Sequence, residues 1–252
     1  MNAFPLTDEI GIVEGWPFLH LSRESTIVLG DIHLGHESII LGDDLTQLTP
    51  SIKILKKGLT KAISSFSVRR IIFNGDIKHL SYGVTGQERL ELRFLLESLA
   101  SRCELVLIKG NHDRFLKFAL DNDIRSSLQI VESYEFDDIL ILHGDADMIL
   151  RPDWKTIILS HEHPSFVFHG SIGERIKLPA FAFFRGMLEG LTRDFIILPA
   201  ASALAGGVSF PPHSRNEFLS PLLKRLETPI QMSLYPFDET TGVIPLPSEV
   251  VG

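Results

Sequence analysis

The stretch ELVLIKGNHD, from Glu104 to Asp113, joins a short apolar run to a polar cluster. The run, Glu104 to Lys109, has the length and the leucine-rich, β-branched composition of a strand that is buried on both faces. The cluster that ends it supplies an amide, an imidazole and a carboxylate, which are side chains that bind metals or move protons. The stretch therefore predicts a buried strand with metal-binding or proton-transferring side chains at its carboxyl end.

Four other short apolar runs end in the same way. They are Thr26 to Gly30 before Asp31, Arg70 to Phe73 before Asn74-Gly75-Asp76, Ile139 to Leu142 before His143-Gly144-Asp145, and Thr156 to Leu159 before SHEHP, Ser160 to Pro164. Helical patterns over Ser51 to Ser64 and Gln87 to Leu99 separate the first three runs. This alternation predicts parallel strands joined by right-handed crossovers, with all five polar clusters at one edge.

The later part of the chain favours antiparallel pairing. Two short strands flank Asp137-Asp138 as in a hairpin, and further strands are expected over Asp194 to Leu198 and Gln231 to Pro245, with a turn at Thr240 to Gly242. We expect an α/β (α+β) fold, a two-sheet β-sandwich of mixed strands flanked by helices, in a single domain over residues 1–252.

The composition is that of an ordinary globular protein, with 44% hydrophobic and 22% charged residues. The amino-terminal sequence lacks the layout of a signal peptide, and no apolar run reaches the roughly 18 residues of a membrane span. Cys103 is the only cysteine, so disulfides within the chain are excluded and a cytoplasmic protein without membrane contact is expected.

The formal net charge of −8 argues against a protein that grips nucleic acid mainly by charge. Two bound divalent cations would change this to −8 + 4 = −4. Nucleic acid is therefore a less favoured substrate, but it is not excluded.

Each polar cluster has an ordinary alternative when taken alone. A Gly-Asp pair at a strand end is usually a turn, and a lone histidine such as His143 is usually a structural residue. Together the clusters offer metals two carboxylates, one amide oxygen and four imidazoles: Asp31, Asp76, Asn111, His33, His143, His161 and His163. Such a mixed set suits Mn, Fe or Zn better than Ca or Mg, which prefer oxygen ligands.

The ordered motifs D-x-H, G-D, G-N-H-D, H and H-x-H resemble those of the calcineurin-like metallophosphoesterase superfamily, over residues 31–163. The details DIHLGHE, NGDIKH and SHEHP are most similar to the SbcD-related, ICC-like phosphoesterases of archaea and bacteria. The resemblance implies the metallophosphoesterase fold and two divalent metal ions, with Mn expected first and Fe or Zn as alternatives.

The resemblance also implies a role for each motif residue. One metal would be held by Asp31, His33 and His163 and the other by Asn111, His143 and His161, with Asp76 bridging them. His112 would contact the phosphate and protonate the leaving oxygen, and Asp113 would orient His112. The alternative for Asp113 is a cap for a helix beginning near Arg114.

Three nearby basic residues, His36, Lys78 and His79, are candidate substrate-binding residues, and the alternative is a solvated rim. In the H-x-H motif, residues two apart in an extended chain share a side. At that spacing His161 and His163 can reach two neighbouring metals, and the spacing alone would equally allow them to bind one. The family usually has glycine where this chain has Ser160, so the backbone there must tolerate a Cβ.

The implied activity is hydrolysis of a phosphate ester by a hydroxide held between two metals, with His112 as the general acid. A preference for diesters rests on the branch resemblance alone. The alternatives are an SbcD-like nuclease and a non-catalytic scaffold that binds metal. The partner would be a phosphate ester, including a nucleotide or nucleic acid, and the sequence leaves open whether the chain forms a homodimer.

Overall fold

Two mixed β-sheets face each other in the computed structural model, which describes residues 1–41, 48–202, 204–238 and 240–251. This confirms the predicted two-sheet sandwich with mixed strands. The five apolar runs singled out in the sequence are strands, three in one sheet and two in the other.

The first sheet contains the strands β1 Ala3–Pro5, β2 Ile10–Val13, β3 Leu19–Leu21, β4 Thr26–Leu29, β5 Arg70–Asn74, β6 Glu104–Ile108 and β7 Leu128–Val131. They lie in the order β1-β2-β3-β4-β5-β6-β7 across the sheet. The first four are antiparallel neighbours, and β4 to β7 run parallel.

The second sheet contains the remaining strands. They are β8 Ser133–Phe136, β9 Ile139–Leu142, β10 Thr156–Leu159, β11 Pro164–His169, β12 Arg175–Leu188, β13 Leu191–Ile197, β14 Val208–Ser209, β15 Glu227–Asp238, β16 Gly242–Val243 and β17 Glu249–Val251. The expected hairpin at Asp137-Asp138 joins β8 to β9. Because β10 lies parallel to both β9 and β13, the carboxyl ends of β9 and β10 meet at one edge.

Helices follow the strands that they connect. They are α1 His36–Leu41, α2 Pro50–Phe66, α3 Gly86–Ala100, α4 Asn122–Ser126 and α5 Pro221–Lys224, with 3-10 helices at Asn111–Phe118 and Arg215–Glu217. A reciprocal capping box starts α3: the Thr85 hydroxyl accepts from Glu88 N at 3.0 Å, and the Glu88 carboxylate accepts from Thr85 N at 2.7 Å. None of the described helices is long and apolar enough to cross a bilayer.

Alternation along the strands divides the core into layers. On β4, Val28 faces the second sheet, whereas Ile27 and Leu29 pack with residues of α2 and α3. On β5, Ile72 and Phe73 show the same division between the two layers. All five side chains are fully buried, and burial of each such side chain contributes about 1.5–3 kcal/mol. The two-sided burial explains why these runs are apolar throughout and fixes the register of their ends.

Candidate metal centre

The five polar clusters lie at the carboxyl ends of β4, β5, β6, β9 and β10. The two sheets contribute to one site: the Nδ1 atom of His143 lies 3.8 Å from Asp31 Oδ1, and its Nε2 atom lies 3.5 Å from Asp76 Oδ2. The same Nε2 atom is 3.3 Å from the side-chain oxygen of Asn111. Side chains as far apart in the sequence as Asp31 and His143 therefore lie within 3.8 Å of each other.

In the described part of the chain, three sets of three side chains place ligand atoms within 4.8 Å of one another. Two of them contain a carboxylate: the first set is Asp31, His33 and His163, and the second is Asp76, His143 and His161. The remaining set consists of three histidines, His33, His79 and His112. The first set has the same members as the group that the resemblance implies for one metal, and Asn111 lies next to His143 of the second set. That these residues bind two metal ions, with Asp76 bridging them, stays a prediction.

Left-handed backbone conformations position most of these side chains. The φ angles are 54° at Asp31, 50° at His33, 47° at Asp76, 68° at His161 and 47° at His163. Each such residue costs of order 1–3 kcal/mol and persists only where surrounding contacts hold it. The expected extended arrangement of His161 and His163 is therefore wrong. Their direction is set by two left-handed residues within a turn rather than by the alternation of a strand.

Hydrogen bonds between the loops hold this unusual backbone. Asp31 N donates to Gly75 O at 3.1 Å, and His33 N donates to Asp76 O at 2.9 Å. His161 N donates to Asp31 Oδ2 at 3.1 Å, which joins the second sheet to the first. Asp31 thus contributes both a backbone anchor and a carboxylate anchor to the same centre.

The buried carboxylates of the centre, Asp31 and Asp76, favour a positive charge next to them. Burial lowers the pKa of His143, but its contacts with Asp76 and the charge of Asp31 outweigh this and raise the pKa to about 9. Burial would raise the pKa of Asp76, yet the hydrogen bond and charge of His143 hold it below its usual range. For His33, burial dominates and lowers the pKa to about 3. The buried carboxylates thus favour a proton on His143 but not on His33, and a divalent cation would supply the positive charge that they favour.

Two buried atoms of the centre lack a hydrogen bond of good geometry within the described part of the chain. They are Asp31 Oδ1, which lies 3.2 Å from His163 Nε2, and His33 Nδ1. An unsatisfied buried polar atom is costly, and a metal ligand is one explanation for it. Together with the mixed oxygen and nitrogen donors, these atoms fit divalent cations of the manganese, iron or zinc type.

The sequence of residues 25–189 matches the family Metallophos, described as calcineurin-like phosphoesterase. The chain belongs to this family. Calcineurin-like phosphoesterases depend on a dinuclear metal centre, and the two sets of Asp and His side chains can bind metal.

Comparison with solved structures finds a protein with the same fold. A Pseudomonas putida protein named nuclease MPE is 19% identical, with a TM-score of 0.62, over 97% of this chain and 100% of that chain. An Aquifex aeolicus protein of unknown function, AQ665, is 16% identical, with a TM-score of 0.35, over 55% of this chain and 78% of that chain. No curated protein matches the sequence.

His112 lies at the start of the 3-10 helix Asn111–Phe118, next to the centre. Its backbone N donates to Asp76 Oδ1 at 2.9 Å, and its Nε2 lies 3.8 Å from Asp76 Oδ2. Its Nδ1 forms a short contact with the backbone carbonyl oxygen of His79. A carbonyl oxygen only accepts hydrogen bonds, so this contact places a proton on Nδ1 and fixes the ring.

Asp113 has a different position from the one predicted. Its carboxylate accepts from Gly110 N at 3.0 Å and from Lys78 N at 3.4 Å, and the His79 carbonyl holds the His112 ring. Burial raises the pKa of Asp113 to about 7, although the hydrogen bond from Gly110 opposes the shift. Asp113 therefore joins the G-D loop to the G-N-H-D loop.

The candidate substrate-binding residues divide into two kinds. His36 and His79 stack with ring centroids 3.9 Å apart, and a ligand atom of His79 lies within 4.8 Å of ligand atoms of His33 and His112. Lys78 is fully buried, and its ammonium group contacts the Leu80 carbonyl oxygen. Lys78 therefore supports the loop and does not extend towards a substrate.

Three buried glutamates hold the loops of the site, a role that the sequence alone did not predict. Glu91 accepts from Gly35 N at 2.9 Å, and Glu88 accepts from Leu80 N at 2.7 Å. Glu162, between the two histidines of H-x-H, accepts from residues 219 and 220 at 3.0 and 2.7 Å. The T-x-x-E capping pattern could have identified Glu88 as a capping residue. The hydrogen bond from Leu80 N to Glu88, and the hydrogen bonds to Glu91 and Glu162, come from residues outside that pattern.

Proposed function

We propose that the protein is a dinuclear-metal phosphoesterase, and more specifically a phosphodiesterase. The observation that carries the proposal is the meeting of two sets of metal-ligand atoms beside His112 at the carboxyl ends of five strands. A general acid next to two cation sites is an arrangement that promotes hydrolysis of a phosphate ester.

The ligand assignment follows the two sets and the position of Asn111. One cation would be held by Asp31, His33 and His163, the other by Asn111, His143 and His161, and both would contact Asp76. When bound, the two divalent cations would activate water and neutralise the phosphoryl oxygens. Manganese is our preferred metal because the ligands combine carboxylates, an amide and imidazoles.

His112 would transfer a proton to the leaving-group oxygen from Nε2. The ring is half-buried, so this edge can meet a substrate, while Nδ1 faces the His79 carbonyl. The carbonyl accepts the hydrogen bond from Nδ1 and so keeps Nε2 pointing towards the site. His79 and His36 line the same side of the site and would contact the substrate body.

A nuclease is the second candidate activity. The Pseudomonas putida protein with the same fold is named a nuclease, and its match extends over 97% of this chain. An SbcD-related, ICC-like activity is the corresponding proposal from the motifs. Manganese, the cytoplasmic setting and a homodimer stay predictions.

The first experiment compares bis(p-nitrophenyl) phosphate with p-nitrophenyl phosphate on the manganese-loaded protein. We expect hydrolysis of both with the diester preferred, and most turnover lost in His112→Ala because the imidazole that would contact the phosphate is removed. Manganese content should be unchanged in this variant. Absence of hydrolysis in the wild-type, manganese-loaded protein would favour the scaffold over the enzyme.

A further inference from the structure

The 3-10 helix Asn111–Phe118 presents three chemically different faces. A 3-10 helix has three residues per turn, so side chains at i, i+3 and i+6 share a face. The buried face carries Asp113, Leu116 and Ala119. The other two faces begin at residues of the candidate metal centre: one at Asn111 and the other at His112.

The face that begins at His112 is aromatic. Phe115 is 39% exposed and Phe118 is 55% exposed, and their rings stack with centroids 6.3 Å apart and planes 28° apart. With a rise of about 2 Å per residue, these rings lie roughly 6 and 12 Å along the helix axis from His112. Two exposed phenylalanines thus lie in line with the candidate general acid.

The face that begins at Asn111 is cationic. Arg114 and Lys117 are exposed and line a cleft of about 600 Å³ that also contains Asn111 and His143. Among the described residues, neither cation forms an ion pair, and the Lys117 ammonium lies 4.9 Å from the centroid of the Phe118 ring. The cleft is thus continuous with the site and carries unpaired positive charge.

Two of the four acidic residues that line the cleft are paired: Glu132 with Lys109, and Asp147 with Arg225. Asp145 and the buried Asp113 also line the cleft. The two unpaired cations of the helix therefore give its exposed face a positive charge, although the chain as a whole is negative.

We propose that this helix is a subsite for single-stranded nucleic acid, in which Phe115 and Phe118 stack on bases and Arg114 and Lys117 contact phosphates. The inference rests on the proposed function and names the substrate class of that site. Aromatic side chains next to a cationic groove are the combination that binds single strands without sequence preference. Because the aromatic face begins at His112, the bases bound there would belong to the leaving-group side of the scissile phosphate.

The experiment compares two substrates on the manganese-loaded protein: an oligothymidylate of about ten nucleotides and an abasic oligomer of the same length. The wild-type protein should have a kcat/KM at least about 10-fold higher for the oligothymidylate. In Phe115→Ala/Phe118→Ala this ratio should fall to about 1. In the matched control Ile172→Ala, which removes a 91% exposed side chain at the β11–β12 turn, the ratio should be unchanged. Equal melting temperatures would show that all variants are folded.

The cationic face has its own readout. In Arg114→Gln/Lys117→Gln, kcat/KM should fall for both oligomers, and the slope of log KM against log salt should decrease by about 1.4, since each contact to a single strand contributes about 0.7. A wild-type ratio near 1, or an unchanged ratio in the phenylalanine variant, would overturn base stacking. Hydrolysis of bis(p-nitrophenyl) phosphate without cleavage of either oligomer would overturn the nucleic-acid subsite and leave the proposed function intact. Failure with all three substrates would contradict both.

Discussion

Gly30 and Ser160 pack directly against each other, immediately before Asp31 and His161. A Cβ added at Gly30 would lie 2.3 Å from Ser160 Oγ, 2.8 Å from Ser160 Cβ and 2.9 Å from the Asn74 carbonyl oxygen. Ser160 is fully buried, and its hydroxyl donates to the same carbonyl at 2.6 Å. The serine at this position thus fits only because residue 30 is a glycine.

The two substitutions are expected to be coupled. Overpacking by Gly30→Ala should lower the free energy of unfolding by about 1–3 kcal/mol. Ser160→Gly should lower it by about 1–2.5 kcal/mol, combining a lost hydrogen bond of about 0.5–1.5 with about 0.5–1 for glycine flexibility. In the double variant, two of the three close contacts disappear. Its loss should therefore be about 1–2 kcal/mol smaller than the sum of the single losses.

Urea unfolding of the metal-free protein measures this coupling, because metal binding would otherwise shift the apparent stability. The control is Gly173→Ala in place of Gly30→Ala, since a Cβ at Gly173 would contact nothing within 4 Å. Its effect should add to that of Ser160→Gly within about 0.5 kcal/mol. If the Gly30 and Ser160 losses are also additive within that limit, the packing argument is refuted.

Three further predictions concern other buried groups. Arg193 is 2% exposed and donates to three backbone carbonyl oxygens, each at 3.1 Å, so Arg193→Met should reduce the free energy of unfolding by about 2–4 kcal/mol; a loss below about 1 kcal/mol in urea unfolding would contradict this. Burial raises the pKa of Cys103 to about 11, so iodoacetamide at pH 8 should alkylate the native thiol at least about 100-fold more slowly than the unfolded one, with a rate that rises with pH; equal rates would show an accessible thiolate. Glu91→Gln removes an acceptor for the loop that carries His33 and should weaken manganese binding about 10-fold by calorimetry, whereas Glu97→Gln, at an exposed position of the same helix, should not; equal affinities in the two variants would remove the anchoring role.

The sequence was sufficient for the positions of the strands and for their common edge. Short apolar runs such as Thr156 to Leu159 are buried on both faces, so their composition alone marks them, and the structure begins and ends β10 at the same residues. The polar residue after each run then falls at the site because parallel strands align their carboxyl ends.

The direction of individual side chains could not be predicted in the same way. His161 and His163 have left-handed backbones that depend on Asp31, a residue 130 positions away from His161. Likewise, the carbonyl that holds His112 belongs to His79, and Asp113 is engaged by two backbone amides instead. Such contacts join segments that are distant in sequence, so no local pattern records them. Ser160 is a further example. The family usually has glycine at this position, and the serine is accommodated here because Gly30, which is distant in sequence, packs against it.

The central claim is that two metal ions bind at this edge and that His112 acts on the substrate rather than on the metals. The most direct measurement counts manganese per chain after dialysis, by plasma mass spectrometry, in the wild-type protein and in His112→Ala, alongside hydrolysis of bis(p-nitrophenyl) phosphate. We predict two manganese ions per chain in both proteins and loss of turnover in the variant alone. Fewer than two ions in the wild-type protein, or a variant that loses manganese together with turnover, would contradict the account.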